Sequence, residues 1–159
     1  MNLQRIRLNT YVANVLLDEE RRLAPRVRIR RRTNPDLWDA WGDPEMVASL
    51  VVQLAANALE SIEDQGQVTF TTNNVELDPD FAPPGLSGGT YVQLTVEDTG
   101  RGMNQEELDR LFDADFSTKG ANRGSGMARA LEQVRSMGGQ ITVTSQRGWG
   151  TVVNLYLPT

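Results

Sequence analysis

The residues of this chain best suited to chemistry are Glu97-Asp98-Thr99-Gly100-Arg101-Gly102-Met103, where one carboxylate and two glycines close a run of strand-forming residues. Tyr91-Val92-Gln93-Leu94-Thr95-Val96 alternates with the period of a strand, so Asp98 is expected where the strand ends and the chain turns. Gly100 and Gly102 allow the backbone a positive φ or a close approach to a ligand. A carboxylate acceptor on such a turn outlines a nucleotide pocket. The same pattern occurs in ordinary turns, so its meaning rests on its company elsewhere in the chain. Composition removes other chemistries: with no cysteine there is no disulfide or thiolate, and with no histidine there is no imidazole base, nucleophile or ligand.

The elements that must position these residues follow from spacing and capping. Leu3, Ile6, Leu8, Val12, Val15 and Leu16, followed by the charged run Asp18-Glu19-Glu20-Arg21-Arg22, predict a helix over roughly the first 20 residues, ended by Pro25. A strand is expected around Val27 to Thr33, then a turn-rich stretch through Pro35 and Gly42. Asp43-Pro44-Glu45 is a helix start, with Asp43 as N-cap and proline at the first helical position, and this helix is expected to run to about Asp64. On it Val47, Val51, Leu54, Ala58 and Ile62 form an apolar stripe, and Gln53, Asn57, Glu60 and Asp64 form a second stripe, so Gln53 and Asn57 face the same way. Strands are expected at Gln67 to Leu77 and Thr90 to Glu97, joined by an irregular, exposed connection of variable conformation, Asp78 to Gly89. Asn104 caps a short helix from about Gln105 to Phe112, with Glu107 completing a capping box. A loop from Asp113 to Gly124 leads to a helix from Ser125 to Met137 with Met127, Leu131 and Val134 inward, stopped by Gly138-Gly139. Ile141 to Ser145 and Thr151 to Leu157 then form a hairpin around Arg147-Gly148-Trp149-Gly150. The sum is a mixed sheet of about five strands with three main helices on one face, an α/β (α+β) two-layer sandwich.

At 159 residues and 39% hydrophobic content the chain suits one compact domain that buries about two-thirds of its unfolded surface. It has no apolar run of about 18 residues and no charged-then-apolar leader, so a soluble, cytoplasmic piece without membrane contact is expected. A formal charge of −5 argues against a general nucleic-acid surface. Arg26, Arg28, Arg30, Arg31 and Arg32 nevertheless cluster, the first of them alternating with Val27 and Ile29. A strand with a charged outer face accounts for this, and docking of an acidic partner is the alternative.

Four pieces stand in order: L-A-A-N-A-L-E-S-I, V-E-D-T-G-R-G-M, L-F-D-A-D-F-S-T-K, and G-S-G-M followed by G-W-G-T. With them the chain resembles the ATP-binding catalytic domain of bacterial sensor histidine kinases, in the wider group that includes DNA gyrase, Hsp90 and MutL, where the pieces are called the N, G1, F and G2 boxes. The resemblance runs from the strand at Arg26 to Pro158. It implies the Bergerat ATP-binding fold, a left-handed βαβ arrangement binding ATP and Mg²⁺ under a mobile lid. It makes residues 25–159 the catalytic domain, and residues 1–24 a linker with the end of an upstream dimerisation helix.

Carried over residue by residue, the resemblance gives Asp98 the adenine, whose exocyclic amine donates to a carboxylate. Guanine presents an oxygen at that place and is rejected. Gly100 and Gly102 keep the turn open, Met103 lies against the base and Thr151 supports the site through water. Asn57 matches the asparagine that holds Mg²⁺, its amide oxygen being a hard ligand. Gln53 stands where gyrase-like ATPases have a water-activating glutamate. A glutamine accepts no proton at neutral pH, so low intrinsic hydrolysis is expected, with Gln53 orienting phosphate, metal or water. Glu60 is a further metal candidate or a solvated helix position. Phe112 and Phe116 match the lid aromatics, while Ala114 and Asp115 replace the usual proline and phenylalanine. Lys119 and Arg123 are the cations facing phosphate, and Gly124-Ser125-Gly126-Met127 opens a helix whose free N–H groups bind it. Ala128 stands where the family has a glycine beside its lid, with Arg129 replacing a leucine.

The implied activity is transfer of the ATP γ-phosphoryl group, with Gln53, Asn57 and Lys119 as the catalytic residues. The acceptor is a histidine outside this histidine-free chain, on the dimerisation domain of a parent whose membrane association the sequence leaves open, with a response regulator downstream. An anti-sigma-factor type of Ser/Thr kinase shares the fold, but Gln53 counts against it. A degenerate nucleotide-sensing module without transfer is the third reading, resting on Ala114, Asp115, Ala128 and Arg129.

Overall fold

A computed structural model describes residues 1–22, 26–113 and 125–159. Its main sheet has five strands, β2 (Val27–Arg32), β4 (Gly66–Leu77), β5 (Gly89–Asp98), β6 (Gln140–Gln146) and β7 (Gly150–Pro158). They stand in the order β2-β4-β5-β7-β6, with β2 parallel to β4 and every other pair antiparallel. The five expected strands are all present, each within about a residue of its predicted bounds. The parallel pair requires a crossover, and helix α2 (Pro44–Glu60) supplies it between β2 and β4.

The sheet carries its apolar residues on alternate positions. Val68 and Phe70 of β4, Val92, Leu94 and Val96 of β5, Leu155 and Leu157 of β7 and Ile141 of β6 are all buried in one core. Against them pack Val47, Leu50, Val51, Leu54, Ala55 and Ala58 of α2, with Met127, Ala130 and Val134 of α4 (Ser125–Ser136). Helices therefore cover one face of the sheet, and burial of each of the larger side chains, the alanines apart, contributes about 1.5–3 kcal/mol. The opposite face is polar: Gln93 Nε2 donates to Asn154 Oδ1 (3.3 Å) and to the Tyr156 hydroxyl (3.0 Å), and Thr95 Oγ1 donates to Asn154 Oδ1 (2.7 Å).

The N-terminal segment differs from the single helix expected of it. Gln4–Ile6 is a short strand, β1, paired antiparallel with β3 (Ala40–Gly42), and the helix α1 spans Leu8–Arg22. Ile6, Leu8, Val12, Val15 and Leu16 belong to the same core as α2 and β5, so the stretch expected as a linker packs as part of the domain. The N–H of Asn34 donates to Thr72 Oγ1, which itself donates to Asn9 Oδ1, tying α1 to β4. The turn-rich stretch before α2 likewise contains β3, with Trp41 beneath the Arg5 guanidinium at 5.5 Å.

The connection from β4 to β5 is irregular and leaves Phe81 exposed, as expected, but it is held at two points. Gln140 Nε2 donates to the Pro84 carbonyl (2.8 Å) and the Tyr91 hydroxyl donates to that of Ser87 (2.9 Å). The short helix α3 (Gln105–Asp109) has its capping box between Asn104 and Glu107 but ends before Phe112.

Asp43 joins the N-terminal segment to α2. Its Oδ1 accepts from the N–H groups of Glu45 (3.0 Å) and Met46 (3.2 Å), and its Oδ2 accepts from that of Asn2 (2.7 Å). The bond from Asn2, with those from Met46 and Glu45, holds its carboxyl below the ordinary value of 3.8 against the opposing effect of burial. A lowered carboxyl contributes stability that is complete above its ordinary value and is lost as pH falls through the lower, folded-state value. In Asp43→Asn one oxygen still caps the helix, but the amide nitrogen meets a donor. Melting curves are therefore expected to show a lower Tm than wild type at about pH 7, with the gap closing as pH falls below the ordinary carboxyl value of 3.8. A gap unchanged over that range would contradict the clamp.

Candidate functional site

Strand alternation sets the position of Asp98. It follows Val92, Leu94 and Val96 at the same spacing, so its side chain faces the helix layer, and at 6% exposure it is buried like them. A buried carboxylate is costly unless it is hydrogen-bonded, and the N–H of Gly100 donates to its Oδ1 at 2.8 Å. In register with Asp98 stands Thr151 of β7, and in register with Thr151 stands Ser145 of β6. Ser145 Oγ lies 2.8 Å from Thr151 Oγ1 and accepts from the N–H of Met103 at 2.8 Å. The core-facing side of the sheet thus ends in a polar row, Asp98-Thr151-Ser145, across three strands. Ser145 went unnoticed in the sequence, although its alternation with Ile141 and Val143 puts it on that face.

The turn after Asp98 is held between two other elements. The N–H of Arg101 donates to the carbonyl of Ser61, the C-cap of α2 (3.0 Å), and the N–H of Gly148 donates to that of Arg101 (2.8 Å). Arg147, in the same hairpin turn as Gly148, pairs with Glu107 of α3. Gly102 has φ +68, and a Cβ there would stand 2.0 Å from the carbonyl oxygen of Gln146. A Cβ on Gly100 would stand 2.0 Å from Ser61 Oγ. Gly102 thus takes the positive φ expected as one of two alternatives, and both glycines are required by the approach of α2 and of the hairpin. Met103 is half-buried beyond the turn.

Helix α2 connects this end to the other candidate residues. It stops at Ser61, short of the expected Asp64: the N–H of Ser61 still reaches the carbonyl of Asn57 (3.2 Å), that of Ile62 closes a tighter turn on Leu59 (3.2 Å), and the Ser61 carbonyl receives Arg101. Asn57 lies one turn before Ser61, and Gln53 one turn before that, about 12 Å along the axis from Ser61. The two share a face as predicted: Gln53 Nε2 donates to Asn57 Oδ1 at 3.0 Å. Glu60 is exposed in the last turn. The start of α4 rests on the same face, since a Cβ on Gly126 would stand 2.7 Å from Gln53 Nε2. Ser125 is the first residue of α4, Met127 is buried beneath it, and Ala128 lies within its first turn, where alanine favours helix over glycine by about 1 kcal/mol. Phe112 is half-buried against the core. Lys119, Arg123 and Gly124, with Ala114, Asp115 and Phe116, lie outside the described residues.

The structure therefore brings Asp98, Gly100, Gly102, Met103 and Thr151 together at one end of α2, and Gln53, Asn57 and Gly126 together one to two turns away. An acceptor carboxylate at one end and amides beside a helix N-terminus at the other match an aminopurine base and a chain of phosphates. Among the described residues no group of three or more acids, the arrangement of an all-protein metal cage, is present. No described helix is long and apolar enough to cross a membrane.

The family model of histidine kinase-, DNA gyrase B- and HSP90-like ATPases matches residues 42–159. The sensor histidine kinase ZraS of Escherichia coli (strain K12) is 29% identical over 157 residues, which cover 98% of this chain and 31% of ZraS. The sensor kinase CckA of Brucella abortus is 32% identical over 128 residues, covering 77% of this chain and 13% of CckA. The chain thus spans under a third of the length of these relatives. Among solved structures, the nucleotide-free catalytic domain of histidine kinase ThkA matches with a TM-score of 0.79 and 22% identity, covering 99% of this chain and 96% of that one. The mycobacterial sensor histidine kinase MprB matches with a TM-score of 0.77 and 21% identity, over 99% and 97%. Both share the mixed five-stranded sheet layered with helices. The chain belongs to the family of histidine kinase-, DNA gyrase B- and HSP90-like ATPases, and is an ATP-binding domain of it.

Proposed function

We propose that this chain is the catalytic domain of a sensor histidine kinase, which holds ATP so that its γ-phosphoryl group reaches a histidine on a separate dimerisation domain, with a response regulator downstream. The observation that carries the reading is the buried carboxylate of Asp98 at the end of an otherwise apolar sheet face, fixed by Gly100 and adjoined by Thr151 and Ser145. Asp98 accepts from the 6-amino group of adenine. The charge-assisted bond is worth about 1.5–3 kcal/mol, and guanine, with an oxygen there, repels it. Thr151 and Ser145 supply hydroxyls beside the carboxylate, and Met103 covers the base.

Asn57, Lys119, Arg123 and the start of α4 take the phosphate end. Asn57 suits Mg²⁺, which combines few protein oxygens with phosphates and waters, and its amide oxygen is already oriented by Gln53. When bound there, Mg²⁺ neutralises phosphate charge. Gln53, a neutral amide, accepts no proton from water, so it positions Asn57 without activating water, and this favours transfer over hydrolysis. The absence of histidine from the chain supports an acceptor on another domain.

Mixed with the separately prepared dimerisation domain of its parent and γ-labelled ATP, the chain is expected to label one histidine, and calorimetry to show binding of a nonhydrolysable ATP analogue but not of the GTP analogue. Asp98→Asn replaces one acceptor with a donor and is expected to weaken ATP-analogue binding about tenfold to a hundredfold. Unchanged affinity would remove Asp98 from the base. Gln53→Glu places a proton acceptor one turn from Asn57, and steady-state phosphate release is expected to rise, by up to about a hundredfold. No rise would mean that the Gln53 position does not reach the attacking water.

A further inference from the structure

The arginine cluster takes no part in the site described above. Arg26 is used inside the domain, its guanidinium donating to the carbonyls of Ile62 (3.2 Å) and Asp64 (3.4 Å) beyond the end of α2. The other four are on β2 and all are exposed. Val27, Ile29 and Arg31 stand in register with Gly66, Val68 and Phe70, on the side the helices cover, whereas Arg28, Arg30 and Arg32 stand in register with Gln67, Thr69 and Thr71 on the open face. Among the described residues none of the four forms an ion pair or a side-chain hydrogen bond. An acidic chain of net charge −5 therefore concentrates four unpaired cations within five consecutive positions.

The strand that bears them is an edge. It has one strand neighbour among the described residues, β4, and in a parallel ladder alternate residues direct their N–H and C=O groups away from that neighbour. Arg28, Arg30 and Arg32 recur about every 6.8 Å along it, the spacing at which an added strand presents its own alternate side chains. Three like charges at that spacing repel, and opposing carboxylates relieve the repulsion through bidentate pairs.

We propose that the β2 edge docks an acidic, extended protein segment, which adds to the sheet as a further strand and sets alternate Asp or Glu side chains against Arg28, Arg30 and Arg32. A phosphate-rich polymer or membrane would leave the outward backbone groups of β2 without strand partners, whereas an added strand satisfies them. Guarding the edge against self-pairing explains the charge equally well, but a guarding edge binds no strand.

The test is fluorescence anisotropy with a labelled, end-blocked Glu-Val repeat about eight residues long. Saturable binding that weakens with salt is expected. The triple variant Arg28→Glu, Arg30→Glu, Arg32→Glu should weaken it at least about tenfold, while the Tm and the affinity for a nonhydrolysable ATP analogue stay as in the wild type. The same peptide N-methylated at alternate residues should fail to bind. Absence of binding, equal binding by the triple variant, or equal binding of the N-methylated peptide would each overturn the proposal. So would arginine-dependent binding of a short DNA duplex or of phosphatidylserine vesicles in preference to the peptide.

Discussion

One constraint organises the structure: a carboxylate is held on the core-facing side of a sheet. Alternation along β5 gives Asp98 the direction of Val92, Leu94 and Val96, and burial of an acid there is tolerable only if the surroundings supply donors. The turn that follows does so through Gly100, and the same turn is gripped by α2 on one side and by the β6–β7 hairpin on the other. The carboxylate is thereby held in place without a ligand, and in the proposed reading this preorganisation lowers the cost of binding the base. Because Ser61, at the end of α2, forms one wall, the direction of α2 also decides where Asn57 and Gln53 stand. One helix registers the two ends of the site.

Much of this was legible in the sequence where the signal is local. Asp43-Pro44-Glu45 caps its helix through its own side chain, Asn104 and Glu107 close their box within one turn, and alternation of small windows is enough for the five strands. The features that escaped depend on residues far apart. β1 and β3 have three residues each and exist by pairing with one another, so the single apolar pattern through Leu3, Ile6 and Leu8 reads as helix. The end of α2 is set by Arg101 reaching Ser61, forty residues away, and no composition rule in the helix announces it. The connection Asp78 to Gly89 reads as free because its anchors, Gln140 and Tyr91, lie elsewhere.

The glycines of the Asp98 turn teach a related lesson. Their presence pointed to close approach, correctly, but the partner is the protein itself: Ser61 beside Gly100 and Gln146 beside Gly102. Such glycines let helix, turn and hairpin come near enough to hold Asp98 still. The N-terminal segment shows the same interdependence, since Leu8, Val12 and Leu16 complete the core on which α2 rests.

The central claim is that Asp98 receives the base. A crystal structure of the chain with a nonhydrolysable ATP analogue and Mg²⁺ tests it most directly. The account predicts the 6-amino group of adenine about 2.7–3.2 Å from an Asp98 carboxylate oxygen, with the phosphates running along α2 towards Asn57 and the start of α4. A base bound elsewhere, with Asp98 still buried and out of its reach, would contradict it.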